Sequence, residues 1–254
     1  MGIARRQDNL VDLVRRAGKV SVAELADALG ASRETIRRDL AQLERAGRVQ
    51  KVHGGAIIPR LAGEGSFAQR MGTNMQAKTS MARAAASLFA PGETLFIDTG
   101  STTLYLAEEL AAAAGLTIVT NSTEIARTIA RSRTASGVFL LGGAYGVENS
   151  QTLGTMAASQ VRSFRAHHAV LTVGALDSRS GAMDFDVEEA QVARAMIGQS
   201  ERVTVLADSS KFATLASFEV CPLSRIDRLV CDRPPPGDIG EGIERAGGTL
   251  IIAQ

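Results

Sequence analysis

Apolar residues recur at two different spacings along the chain. In the first 58 residues the spacing is helical. Val22, Leu25 and Leu29 form one stripe, and Ile36, Leu40 and Leu43 form a second at i, i+4 and i+7, the repeat of one helix face. From about residue 80 the apolar residues gather instead into short, β-branched-rich runs at 94–97, 116–119, 138–141, 169–173 and 202–207, with later runs at 228–231 and 249–251. Ala-, Glu- and Arg-rich stretches of helical period separate most of them. Short apolar strands alternating with helices predict a mainly parallel sheet covered by helices. The expected fold class is therefore α/β, preceded by a small helical unit.

The end signals of the N-terminal helices are complete. Ser21-Val22-Ala23-Glu24 has the form of a capping box, with Val20 and Leu25 at the staple positions and Gly30 placed to end the helix. Ser32 is placed to cap the next helix, and Gly47 to close it. At 100° per residue, Glu34, Arg38 and Arg45 lie opposite its apolar stripe, flanked by Thr35 and Arg37. Two short helices joined by a Gly-containing turn, the second with a cationic outer face, describe a helix-turn-helix. Residues 48–52 and 56–58, joined through His53-Gly54-Gly55, read as a hairpin. Its position makes it a wing, with Lys51 and His53 beside the sugar-phosphate backbone of DNA.

Charge sharpens this division. The net charge is only +1, yet residues 1–60 carry 12 Lys and Arg against 7 Asp and Glu, and the remainder is acidic. A basic module joined to a mildly acidic body suits a nucleic-acid reader attached to a second function. Trp is absent and aromatic residues make up 4%, so the core must be aliphatic. No run reaches the roughly 20 apolar residues of a membrane span, and the N-terminus lacks the apolar segment of a secretory signal. The two cysteines, Cys221 and Cys231, make no disulfide framework; a cytoplasmic location is expected.

The α/β part carries small and polar residues after each strand. The first run leads into Asp98-Thr99-Gly100-Ser101-Thr102-Thr103, the next into Thr120-Asn121-Ser122; later ends hold Gly142-Gly143, Gly174-Ala175 and Asp208-Ser209-Ser210-Lys211. Ligands of open parallel sheets bind outside the carboxyl ends of the strands, so these residues converge on one expected pocket. The loop 100–103 precedes a helix, and free amides and hydroxyls there suit a phosphate; the same residues also suit a simple cap. The loop has neither the P-loop lysine pattern nor the dinucleotide glycine fingerprint. Asp186, Glu188 and Glu189 either accept from ligand hydroxyls or favour the dipole of the helix they precede. Lys211 pairs with a phosphate or with a structural partner. His167 and His168 are adjacent and lack metal-ligand spacing, so no metal or other cofactor is expected.

The segment SVAELADALGASRETIRRDLAQLERAGRVQKVHGGA, residues 21–56, resembles the DeoR family of bacterial transcription regulators, most specifically in TIRRDL and VHGGA. LFIDTGSTT, IVTNS, LLGG, LTVGALD, DFDVEEA and LADSSKF resemble that family's sugar-phosphate-sensing domain, in order. The family domain is similar in fold to ribose-5-phosphate isomerase. DFD followed by EEA, with the prolines at 234–236, resembles the subgroup that governs the glycerol-3-phosphate regulon. Two departures stand out: Ala77 precedes Lys78 where relatives carry an acidic residue, and Ala144 stands where many carry Glu.

The resemblance implies operator contact by Ser32, Arg33, Thr35, Arg37 and Arg38, with the two last arginines going to phosphate or to guanine. It implies effector contact by Asp98, Gly100, Ser101, Thr102, Thr103, Thr120, Asn121, Gly142, Gly143, Gly174, Asp186, Glu189 and Lys211. The expected organisation is a winged helix-turn-helix over 1–58, a linker and connecting segment over 59–79 and an effector-binding and oligomerisation domain over 80–254. The expected function is a repressor of a sugar or polyol catabolic operon. It acts on double-stranded operator DNA, responds to a phosphorylated sugar or polyol effector, and works as a homo-oligomer, dimeric or higher, since paired reading heads match symmetric half-sites. The competing reading is an active sugar-phosphate isomerase-like enzyme fused to a DNA-binding module, because Asp98, Asp186, Glu188, Glu189 and Lys211 supply acid–base groups. The dedicated DNA module argues against it, and no catalytic residue is assigned.

Overall fold

A computed structural model describes residues 3–17, 19–45, 49–52, 54–57, 65–132, 134 and 136–253. Gly47, His53 and most of the expected linker at 59–66 lie outside the described residues, as does the side chain of Arg45. The chain divides into two compact units, Met1–Ala62 and Gly63–Gln254.

The first unit runs α1 (Ile3–Ala17), β1 (Lys19–Ser21), α2 (Val22–Leu29), α3 (Arg33–Arg45), β2 (Gln50–Val52) and β3 (Gly55–Ile57). The capping box forms as the residues dictate: the Glu24 amide donates to Ser21 Oγ, and the Ser21 amide donates back to Glu24. Gly30 ends α2 in the left-handed conformation. The hairpin β2–β3 gains a third strand, β1, giving the order β1-β3-β2. Leu25, Ile36, Leu40, Leu43, Val49 and Ala56 meet Leu10, Val11 and Val14 of α1 in one aliphatic core. Each such Val, Leu or Ile side chain is worth about 1.5–3 kcal/mol when withdrawn from water.

The second unit begins with α4 (Phe67–Gly72) and α5 (Met75–Ala86). The boundary expected at 79/80 therefore falls inside a helix. The unit continues β4 (Thr94–Ile97), α6 (Ser101–Leu110), β5 (Thr117–Thr120), α7 (Thr123–Arg131), β6 (Gly137–Leu140), β7 (Ala144–Gly146), β8 (Gln151–Leu153), α8 (Gly154–Val161), β9 (Ala166–Thr172), β10 (Ala175–Asp177), β11 (Gly181–Asp184), α9 (Val187–Gly198), β12 (Ser200–Leu206), β13 (Phe218–Cys221), β14 (Arg228–Cys231), α10 (Gly237–Arg245) and β15 (Thr249–Ile252).

Seven of these strands form a parallel sheet in the order β15-β14-β12-β9-β4-β5-β6. Alternate side chains enter opposite layers. Phe96, Ala169 and Leu171 pack with α8, α9 and α10. Leu95, Ile97 and Val170 pack with α5, α6 and α7. The strand order reverses between β4 and β9, which places a crevice at their carboxyl ends. Two smaller sheets lie outside the sequence expectation: the antiparallel set β10-β11-β13 and the hairpin β7-β8. Among the described residues, no helix is long and apolar enough to cross a membrane.

Candidate functional site: a reading helix and a sensor crevice

In the first unit, α3 starts at a side-chain cap. The Thr35 amide donates to Ser32 Oγ at 3.1 Å, and the two hydroxyls lie 2.8 Å apart. Both residues proposed from sequence for operator contact thus also hold the start of the helix. Arg33, Arg37 and Arg38 are exposed. Arg37 and Arg38 approach only Glu34 among the ion pairs of the described residues, at 3.8 and 3.5 Å, and exposed pairs of this kind are weak. Lys51 reaches Glu44: its amide donates at 2.9 Å and its ammonium lies at 3.2 Å. The wing is thereby tied to α3. A cavity of about 520 Å³ is lined by Arg37, Leu40, Lys51, Val52 and Gly54, among others.

One residue of TIRRDL has a role that sequence reasoning missed. Asp39 is buried, and Arg6 Nε donates to it at 2.6 Å, with Arg6 Nη2 and Gln7 Nε2 each at 3.2 Å. The hydrogen bond to Asp39 raises the Arg6 guanidinium above its ordinary pKa. Asp39 fixes α3 against α1.

In the second unit, two cavities open at the carboxyl end of the sheet. The smaller, about 130 Å³, is lined by Ser101 and Thr102 at the start of α6, by Thr172 at the end of β9, by Asp208, Ser210 and Lys211 after β12, and by Arg70, Thr73, Asn74 and Lys78. Its three basic side chains outnumber its single carboxylate. The cap residue of α6 is Gly100, which supplies no side-chain cap bond, so the first amides of that helix remain available to an anion. Lys78 is buried; its Nζ donates to Ser101 Oγ at 2.9 Å and to the Arg70 carbonyl. Asn74 takes the left-handed conformation, which Asn tolerates, and donates to Asp208 at 3.1 Å.

The larger cavity, about 390 Å³, is acidic. Glu148, Asp184, Asp186 and Glu189 line it with Arg70, Asn149, Phe185, Ser66 and Gly65. Arg70 Nη2 donates to Asn149 Oδ1 at 2.9 Å, Asn149 donates to Glu189 at 2.7 Å, and Gln151 donates to the same oxygen. Burial raises the Glu189 carboxyl above the usual carboxylate range. Asp186 caps α9 through the amides of Glu188 and Glu189, at 2.7 and 3.2 Å.

The crevice therefore gathers Ser101, Thr102, Lys211, Asp186 and Glu189 of the expected effector set. The others line neither cavity. Asp98 accepts from the Thr172 amide. Thr103 is buried and donates to the carbonyls of Asp98 and Gly100. Thr120 accepts from the Ser122 amide, and Asn121 donates to the Thr152 carbonyl. Gly142 donates its amide to Gln160, Gly143 packs on the Leu153 carbonyl, and Gly174 packs on the Phe185 ring. Arg70, Asn74, Lys78 and Asn149 were missed, whereas Asp208, expected at its strand end, lines the smaller cavity. Lys78 had left a readable signal: with Met81, Ala82 and Ala85 it occupies the i, i+3, i+4, i+7 face of α5. Among the described residues, no His, Cys, Asp or Glu group is arranged to hold a metal.

A winged reading helix joined to a doubly wound domain with a cationic pocket at its switch point defines a ligand-responsive transcription regulator. Residues 6–60 match the DeoR-like helix-turn-helix domain, and residues 73–233 match the DeoR C terminal sensor domain. The chain is 31% identical over 249 residues to the HTH-type transcriptional repressor CsqR of Escherichia coli strain K12, covering 98% of this chain and 95% of that protein. It is 31% identical over 232 residues to the glycerol-3-phosphate regulon repressor of the same organism, covering 91% and 92%. Ribose 5-phosphate isomerase A from Methanocaldococcus jannaschii overlaps 55% of each chain at 14% identity, with a TM-score of 0.40. The protein belongs to the DeoR family and is a DNA-binding transcriptional regulator.

Proposed function

We propose that the protein is a repressor of a sugar or polyol catabolic operon whose operator affinity changes when a phosphorylated sugar or polyol fills the sensor crevice. The single observation that carries this reading is the junction of a small cationic pocket with a larger acidic cavity. Lys78, Lys211 and the start of α6 suit a phosphate; Glu189, Asp186 and Asn149 suit the hydroxyls of the remaining carbon chain. The ligand must bind one DNA-competent state better than another to act at all. Residues 1–58 read the operator through Ser32, Arg33, Thr35, Arg37 and Arg38, with Lys51 and His53 of the wing on the backbone. The second unit, with Arg70 and Lys78 ahead of the expected boundary at 79/80, binds the effector and joins copies of the chain, at least as a dimer in the cytoplasm. The sensor domain senses and does not catalyse.

A mobility-shift titration tests the reading. DNA from upstream of the protein's own gene is bound, then titrated with sugar and polyol monophosphates and with their unphosphorylated parents. A phosphorylated compound is expected to change the bound fraction while its parent does not. A response to the parent alone overturns the phosphate pocket.

A further inference from the structure

We propose that Arg70 and Lys78 turn occupancy of the sensor crevice into displacement of α4, so that a phosphorylated polyol acts on DNA binding by gripping this one helix. The inference rests on the crevice being the effector site, and goes beyond it in naming the element that moves.

Helix α4 is short, with six residues, and none of them is buried. Phe67 and Met71 pack only partly against the core, and Tyr105 donates to the Met71 carbonyl at 3.1 Å. An element with so little buried surface belongs to the low-stability end of a fold, where small free energies move it. It is also the first helix of the second unit, and so the helix of that unit nearest in sequence to the DNA-reading unit.

Ties from both cavities end on it. The Arg70 carbonyl accepts from Lys78 Nζ, which also donates to Ser101 Oγ at the start of α6. A phosphate seated over the first amides of α6 competes for that same ammonium and hydroxyl, and so alters the bond to α4. On the other side, the Arg70 guanidinium reaches Asn149, which in turn donates to Glu189. Hydroxyls arriving at Glu189 compete with Asn149. Arg70 lines both cavities, and Ser66, the cap of α4, lines the larger one. One ligand spanning both cavities thus acts on α4 through the backbone and through the side chain of the same residue.

The test uses the full chain with glycerol 3-phosphate, ribose 5-phosphate, glucose 6-phosphate and inorganic phosphate as probes. Binding is read by calorimetry and DNA release by fluorescence anisotropy, on wild type, Lys78→Met, Arg70→Gln and Asn149→Ala. Lys78→Met is expected to weaken binding of the active sugar phosphate and of inorganic phosphate by about tenfold. In Arg70→Gln and Asn149→Ala, the change in DNA affinity brought about by saturating ligand is expected to fall by about tenfold, beyond any loss of ligand binding itself. Asn149→Ala removes the same contact from the other side and carries the test if Arg70→Gln does not fold. A wild-type response in both variants overturns the proposal. So does a loss of binding that matches the loss of response, which makes these residues ligand contacts alone. If no probe binds the wild type, the crevice reading itself fails, and that result is seen before any variant is compared.

Discussion

Both carboxylate oxygens of Asp98 face the backbone amide of Thr172, at 3.1 and 3.2 Å. The Asp98 amide in turn donates to the Val170 carbonyl. Asp98 follows β4 and Thr172 ends β9, the two strands between which the sheet order reverses. Beyond their paired residues, neighbouring strands at a switch point diverge, and the carboxylate carries the pairing one step further. Asp98, which the sequence places among the effector residues, thus also holds together the two strand ends at the switch point.

The same threonine explains Gly100. The backbone there is extended and open to any residue, but a Cβ would lie 2.0 Å from Thr172 Cγ2. Gly100→Ala is expected to lower stability by about 1–3 kcal/mol through overpacking. The double variant with Thr172→Ser, which removes the methyl, is expected to regain most of it. Urea unfolding of the three proteins measures this; a double variant no more stable than Gly100→Ala contradicts the steric account.

Two adjacent wing glycines are required for opposite reasons. Gly55 has no room, since a Cβ would lie 2.2 Å from the Val20 carbonyl, backbone that cannot step aside. Gly54 has open space but a φ of +77°. Gly55→Ala is expected to abolish DNA binding and separate β1 from β3, while leaving ligand binding by the second unit intact. Gly54→Ala is expected to cost only about 1–2 kcal/mol. Circular dichroism and DNA anisotropy on both variants separate the cases, and equal damage from the two excludes this assignment.

Arg37→Ala and Arg38→Ala are expected to change stability by less than about 0.5 kcal/mol, because both side chains are exposed. A phosphate-contacting arginine is expected to weaken binding evenly across DNA sequences and lower the salt slope by about 1. A base-contacting one relaxes discrimination at one position instead. Anisotropy at several salt concentrations, on matched and mismatched DNA, distinguishes them. Unchanged affinity in both variants removes these residues from the interface.

Glu189 gives a pH signature. Burial, its largest influence, raises its carboxyl above the ordinary range, opposed by hydrogen bonds from Gln151 and Asn149. The folded state thus favours the protonated form. The associated stability is complete in acid and is lost as the pH rises through the folded-state value. Glu189→Gln imitates the protonated form, so its Tm is expected to exceed that of wild type at pH 7. The difference is expected to shrink as the pH is lowered. A constant difference across that range refutes the role of ionisation.

Local signals were legible wherever one residue's chemistry decides the outcome. The capping box at Ser21 and Glu24 and the cap at Ser32 were readable because each is closed within four residues. The run at 94–97 matches β4, while the run at 169–173 becomes Ala166–Thr172, since β9 extends into polar His167 and His168 at its start. The antiparallel strands β10, β11 and β13 were not legible: their pairing joins Met183 to Glu219 across a long stretch of chain. Asn149 and Arg70 escaped for the same reason, being 79 residues apart and meaningful only together. Lys78 was hidden differently, by a side chain that reads as solvated until its helix face is known.

The buried carboxylate of Asp39, held by Arg6 and Gln7, separates how the reading helix is mounted from what it reads. A buried ion pair is weak evidence for added stability, and this one places α3 against α1. The mounting residues face α1, whereas Arg33, Glu34, Arg37 and Arg38 face outward. On the reading proposed above, exchanging Arg33, Arg37 and Arg38 is expected to change operator preference while leaving the scaffold and the sensor domain as they are. Grafting them from another member of the family is expected to direct the protein to a new promoter with its sensor domain unchanged.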